Sequence, residues 1–172
     1  HLVSRHGQDT WNLYVDVDEA LIFPGVEHLG IRYLVEYLER NNHEAVAGHM
    51  LDMYAPEPRP ADGASFDEDF IEAYPYFDNA FVRRGQAMHP YTAVAGGFRR
   101  HFGSAPDLTK TPLFRGGRGI QLLASSHATT PAVTSDVTCV LLHYKLAGDF
   151  GAIYAKDREE NIRLIDIGRR HR

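Results

Sequence analysis

The chain has 172 residues, enough for one domain with a proper core, and a globular composition, 44% hydrophobic and 24% charged. Its formal net charge of -5 argues against general electrostatic attraction to nucleic acid. The single cysteine, Cys139, excludes an internal disulfide and a thiolate-based zinc cluster. Lying in the apolar run 137–142, it reads as a buried structural thiol. No apolar stretch approaches the roughly 20 residues that cross a bilayer and no signal peptide is visible, so a cytoplasmic, reducing setting is expected. Fifteen Arg stand against three Lys. Arg suits bidentate grips on phosphate or carboxylate, and coding bias produces the same excess.

Residues 2–6 followed by Gly7 read as the end of a helix, with Gly7 as a left-handed cap. Residues 11–17, Trp-Asn-Leu-Tyr-Val-Asp-Val, are rich in aromatic and β-branched types and predict a strand that ends in acidic residues. Leu21-Ile22-Phe23-Pro24 closes that unit. Apolar residues at Leu29, Tyr33, Leu34, Tyr37 and Leu38 give 27–40 helical spacing, with Asn41-Asn42 as the stop. Residues 44–53 predict a second strand. Three Pro and Gly63 make 55–65 a loop long enough to act as a lid. A short helix over 66–73, an irregular aromatic stretch over 74–90 and a basic helical turn over 97–103 follow. Strands are predicted at 112–115, 120–125 and 137–145. A final charged helix over 151–165 carries an apolar stripe through Ile153, Ile162 and Ile165. No repeat or linker divides the chain, so one domain is expected, of the α/β class, with a mixed sheet flanked by helices. The chain begins at His1 and enters a strand-like segment almost at once, which leads us to expect the C-terminal part of a larger domain.

The acidic segment Asp16-Val17-Asp18-Glu19 is the main chemical signal. A strand ending in Asp-x-Asp places two carboxylates at the edge of a sheet where open α/β proteins bind ligands. Strand alternation would put Asp16 and Asp18 on one side. Two like charges so close call for a cation, and all-oxygen ligands suit Mg2+ or Mn2+ sharing diphosphate oxygens. The bland alternative is a solvated turn capping a strand. The same pattern opens haloacid-dehalogenase-like phosphatases, with Asp16 as nucleophile. Those usually want Thr or Val where Ala20 stands, and Asp67-Glu68-Asp69 follows no apolar strand that would supply their later acidic pair.

The wider context adds a resemblance. Trp11-Asn-Leu-Tyr-Val-Asp-Val-Asp-Glu-Ala-Leu-Ile-Phe-Pro24 resembles the W-x-x-x-x-D-x-D-E-x-L-x-x-P block of bacterial family 2-like glycosyltransferases. Leu51-Asp52-Met53-Tyr54 is similar to the group's LDMY segment, and Tyr76-Phe77-Asp78 to its YFD. Gly96-Gly97-Phe98-Arg99-Arg100 with Phe102-Gly103 resembles GG-x-R-x-x-F-G, and Lys110-Thr111-Pro112-Leu113 resembles K-x-P-L. His127 and Leu141-Leu142-His143-Tyr144-Lys145 complete the series. Departures fall at Ala20 and Tyr144, where the group more often has an aromatic residue and Phe. The segment that holds the nucleotide base in such enzymes, which precedes the acidic turn, is not in this chain. The resemblance implies the C-terminal portion of a GT-A (nucleotide-diphospho-sugar transferase-like) fold. It implies a Mn2+- or Mg2+-dependent glycosyltransferase that moves a sugar from a nucleotide-sugar donor to a glycan or other hydroxyl acceptor, with inversion. It leaves peripheral membrane contact and oligomeric state open.

By that resemblance Asp18 binds the metal, Asp16 touches the ribose or shares the metal, and His143 is a third ligand. Core hydrogen bonding is the alternative for His143. A general base must reach the acceptor hydroxyl. Asp52 is the candidate, because a charge interrupting an apolar segment is costly; an ion pair with a nearby Arg would explain it equally. Asp78 is the reserve base, and Glu19, also a catalytic candidate, would orient the turn. Phosphate partners are drawn from Arg99, Arg100, Lys110, Arg115 and Lys145, and His127 would face the acceptor or the metal. Gly116-Gly117-Arg118-Gly119 lacks the Lys-Ser/Thr of a P-loop and reads as a turn. A non-catalytic carbohydrate-binding domain is the remaining alternative.

Overall fold

The structure, a computed structural model, describes residues 2–56, 70–84, 93–103, 105–117, 119–122, 127, 129–130 and 134–145. Along the chain these form α1 (Leu2–His6), β1 (Trp11–Leu13), β2 (Glu19–Ile22), α2 (Ile31–Arg40) and β3 (Ala45–Tyr54). There follow α3 (Phe70–Ala73), β4 (Tyr76–Phe77), β5 (Phe81–Arg84), β6 (Ala93–Gly96), a 3-10 turn (Phe98–Phe102), β7 (Thr109–Arg115) and β8 (Thr134–His143). The chain divides into two compact units, residues 1–52 with 77–143 and residues 53–76 with 144–172.

In the first unit the strands lie in the order β1-β7-β3-β8-β2. Neighbours run antiparallel except β3 and β8, which are parallel. Among the described residues this is the mixed α/β arrangement the sequence implied, with few helices. The longest, α2, lays Leu34 and Leu38 on the sheet, where they pack with Phe23, Val46, Leu113 and Cys139. A second cluster of Met50, Val94, Leu108 and Leu141 continues the core toward the other end of β3 and β8. Among the described residues no helix is long and apolar enough to cross a membrane. In the second unit the rings of Tyr54 and Tyr76 stack at 6.0 Å, and Tyr74 meets Tyr144 edge-on at 6.3 Å.

Several local expectations are corrected. The strand expected over 11–17 ends at Leu13, because residues 14–18 must join β1 and β2, the two ends of the strand order. In a flat sheet those ends would stand roughly 19 Å apart at ~4.8 Å per strand. A five-residue link containing a tight turn cannot span that, so the sheet curls to bring them closer. Glu19–Ile22 is therefore a strand paired with β8 rather than a closing segment. Gly7 is not left-handed; Asp9 is, with φ 54. Gly7 is required for space, since a Cβ there would lie 2.0 Å from Asn12 Oδ1. Helix α2 starts at Ile31, because Gly25 (φ 85) folds 25–29 into a turn closed by Leu29 N–H donating to Gly25 O at 2.8 Å. Of the strand expected over 120–125, residues 120–122 are not strand, although Leu122 bridges Thr129, and 123–125 lie outside the described residues. The expected 151–165 helix, and the 55–65 loop beyond Pro56, lie outside the described residues.

Candidate functional site

One face of the sheet carries both core and site. Residues directly opposite in neighbouring strands share a face. Asp52 of β3 pairs with His143 of β8, which pairs in turn with Glu19 of β2. Two residues further along β3, Met50 pairs with Leu141 within the core. The row Asp52–His143–Glu19 is thus the polar end of a face whose other end is apolar and covered by α2. An apolar strand that closes on a polar residue (Asp52 late in β3, His143 at the end of β8) is what exposes these groups to one another.

Lys110 joins that face through a bulge. Leu113 of β7 faces Val46 and Lys110 faces Gly48, so two residues of β7 oppose one of β3. Without the extra residue, alternation from Leu113 would turn Lys110 to the opposite face. Pro112 sits in the bulge, one of the few places a sheet tolerates proline. Its ring lies 2.9 Å from where a Cβ on residue 48 would stand, which explains Gly48.

Residues 16–19 form a tight turn, with Glu19 N–H donating to Asp16 O at 3.1 Å and Asp16 N–H donating to Glu19 Oε2 at 3.0 Å. Strand alternation therefore does not set the directions of Asp16 and Asp18. Lys110 Nζ donates to Asp16 Oδ2 at 2.6 Å and to Glu19 Oε1 at 2.5 Å. The Glu19 side chain is fully buried and both its oxygens are engaged. Burial disfavours the Lys110 ammonium, but the Asp16 and Glu19 hydrogen bonds outweigh it and raise its pKa above 10.5.

Beside the turn runs a second chain of contacts. Arg99 Nε donates to Asp52 Oδ2 at 2.7 Å, and His143 Nδ1 lies 2.7 Å from Asp52 Oδ1. The other ring nitrogen, Nε2, is 3.5 Å from Asp18 Oδ2. The Asp52 side chain is fully buried and Asp18 is 38% exposed. Burial alone would raise the Asp52 pKa; the His143 hydrogen bond and the Arg99 charge hold it below the usual carboxylate range. Arg99 enters because Gly97, with φ 64, starts the 3-10 turn where a Cβ would press Leu108 at 3.0 Å.

The other candidates are distributed as follows. His127 Nδ1 is 3.0 Å from Thr109 O, which can only accept, so Nδ1 carries the proton. Burial first and the Lys110 charge second lower its pKa below 6.5, which keeps it neutral near the turn. Asp78 is held below the usual range chiefly by the Ala80 N–H, with His101 Nε2 at 2.8 Å and Arg100 at 3.5 Å on Oδ2. Sequence reasoning missed His101 as the partner of Asp78, although a basic residue two beyond Arg99 in a tight turn was a usable signal. Arg115 lies at the far end of β7 from Lys110, 3.8 Å from Glu39, so the structure does not bring it to the turn. Arg99 is spent on Asp52. Lys145 belongs to the second unit.

No protein-family model, curated protein or solved structure matches the chain. Its chemistry rests on its own geometry. Among the described residues no group of three His, Cys, Asp or Glu side chains is gathered as a closed metal site. The donor set nonetheless fits a hard divalent cation at Asp18 and His143. Bonds of about 2.1 Å at right angles put neighbouring ligand atoms about 3 Å apart, close to the 3.5 Å seen. A histidine whose second nitrogen is fixed by a buried carboxylate is the usual support for such a ligand. Mg2+-type sites commonly take one or two protein ligands, with substrate phosphates and water completing the shell.

Proposed function

We propose that the chain carries the donor-side metal site of a GT-A-type, metal-dependent glycosyltransferase. The reaction would transfer a sugar from a nucleotide-diphosphate donor to a hydroxyl acceptor, with inversion. The observation that carries this reading is Asp18 facing the Nε2 edge of His143, itself anchored by Asp52 and Arg99. Further support comes from convergence: the blocks that resemble family 2-like enzymes supply Asp18, Asp52, Arg99, Lys110 and His143, and these fall in two adjoining polar networks.

Asp18 and His143 would hold Mn2+ or Mg2+, which when bound supplies positive charge to a departing diphosphate. Asp52 does not suit the part of general base, because its side chain is fully buried and its two oxygens are engaged by Arg99 and His143. It acts instead as a positioning residue that fixes the ring of His143. Glu19 organises the turn, and Lys110 holds the turn against the sheet. A phospho-aspartate phosphatase draws less support. Asp16 lies beyond a three-residue strand that pairs antiparallel with β7, not at the carboxyl end of a parallel strand, where open α/β sheets bind ligands.

The test is calorimetric titration with UDP and GDP, with and without Mn2+, on the wild type and Asp18→Ala. Metal-dependent binding that disappears in Asp18→Ala is expected. Binding indifferent to metal and mutation would sink the proposal and favour a glycan-binding screen; no binding would sink it as well.

A further inference from the structure

Lys110 is a buried lysine that the donor chemistry above does not use. Its Nζ lies 2.6 Å from Asp16 Oδ2 and 2.5 Å from Glu19 Oε1, and its side chain is 2% exposed. We infer that Lys110 is a built-in counter-cation that withholds Asp16 and Glu19 from the metal and leaves Asp18 as the one carboxylate of the turn that faces it. The inference rests on the metal reading of the site.

Three carboxylates within four residues would otherwise compete for a single cation. Each Glu19 oxygen already accepts a donor, Lys110 on Oε1 and the Asp16 N–H on Oε2, and the side chain is fully buried. Asp16 is tied through Oδ2 in a charge-assisted bond, stronger than a neutral one. Among the described residues Asp18 has no such tie, and it faces the His143 ring edge at 3.5 Å. Three carboxylates less one ammonium leave two formal negative charges, the amount a divalent ion neutralises. The bulge at Pro112 makes this possible by aiming Lys110 at the turn. In an Asp-x-Asp pair the two carboxylates thus have different work: the first tethers and the second binds.

The experiment measures Mn2+ binding by the loss of the free-ion paramagnetic resonance signal, in parallel with thermal unfolding in EDTA and in Mn2+. Asp16→Asn should bind Mn2+ within a few-fold of wild type, and Asp18→Asn should lose binding at least tenfold. Lys110→Met, isosteric but uncharged, should unfold at lower temperature in EDTA and recover in Mn2+ more than wild type does, because the ion replaces the lost ammonium. The double variant Lys110→Met/Glu19→Gln removes the buried uncompensated charge and should regain stability without Mn2+, which covers the case of a poorly folding single variant. Loss of Mn2+ binding in Asp16→Asn equal to that in Asp18→Asn would overturn the inference. So would a Lys110→Met protein as stable as wild type in EDTA. Wild type that binds no Mn2+, beside a Lys110→Met protein rescued by it, would remove the glycosyltransferase reading and leave the tether standing.

Discussion

Asp52 shows how a single residue can be read from sequence as unusual while its partners stay hidden. A carboxylate inside an apolar strand demands a reason, and the two available were a base or an ion pair. The parallel register of β3 and β8, which no local pattern reveals, sets it against His143, and the 3-10 turn sets it against Arg99. Removing it would leave a buried guanidinium and an unmatched ring nitrogen. Breaking such a buried pair costs about 3–5 kcal/mol. At about 2–4 °C per kcal/mol for a chain of this size, Asp52→Ala should lower the unfolding midpoint by roughly 10 °C. A midpoint within a degree or two of wild type in a calorimetric scan would show that the network does not hold the site together. Asp52→Asn, which keeps the shape and one acceptor, should cost less.

At the scale of elements, helix α2 offers a gain rather than a loss. Its N-cap is Gly30, in extended backbone (φ -70, ψ 162), with no side-chain cap bond and no acidic residue in the first turn. A Cβ there meets nothing within 4 Å. Asp at this position can accept from a first-turn N–H and favour the helix dipole, together about 0.5 kcal/mol. Gly30→Asp should therefore raise the midpoint by about 1–2 °C in thermal unfolding; a fall would mean the cap geometry is not as described. The body of α2 was legible because its apolar spacing is a local signal, and its stop at Asn41-Asn42 holds. Its start was not, because Leu29 keeps the helical spacing while belonging to the Gly25 turn. The strands at 45–54, 109–115 and 134–143 were legible in their centres. β2 was hidden because its four residues follow an acidic turn and are strand only through pairing with β8. In the same way the acidic turn could be picked out from sequence, but its division between Lys110 and His143 could not. That division depends on a one-residue bulge and on strands more than 90 positions apart in the chain.

For the molecule as a whole, four buried or half-buried titratable groups among the described residues, His127, Asp52, Lys110 and Cys139, shape how stability depends on pH. His127 has a folded pKa below its ordinary 6.5, so the unfolded chain takes up the proton first as pH falls. Its contribution is present above 6.5 and is lost below it, down to the folded value. Asp52 likewise has a folded pKa below 3.8, and its contribution is lost as pH falls from there through the folded value. Lys110 and Cys139 run the other way: Lys110 is raised above 10.5 and burial pushes the Cys139 thiol from 9.0 up to about 12, so their contributions are full below 10.5 and 9.0 and are lost as pH rises through the folded values. Linkage then gives a plateau between roughly pH 7 and 9, a shallow decline beginning near 6.5, a loss that begins near 9, and steeper losses in strong acid and strong alkali. Unfolding midpoints measured across pH 3–11 check this profile, and two variants assign its limbs. His127→Gln, which can still donate to Thr109 O, should flatten the decline that starts near 6.5 and leave the alkaline limb alone. Lys110→Met should lower the plateau and remove the lysine's share of the alkaline limb above 10.5, leaving the share that Cys139 begins near 9. A His127→Gln protein with an unchanged acid shoulder would place that titration on another residue. An alkaline limb left unchanged in Lys110→Met would do the same for the lysine and would weaken the claim that its ammonium holds the acidic turn.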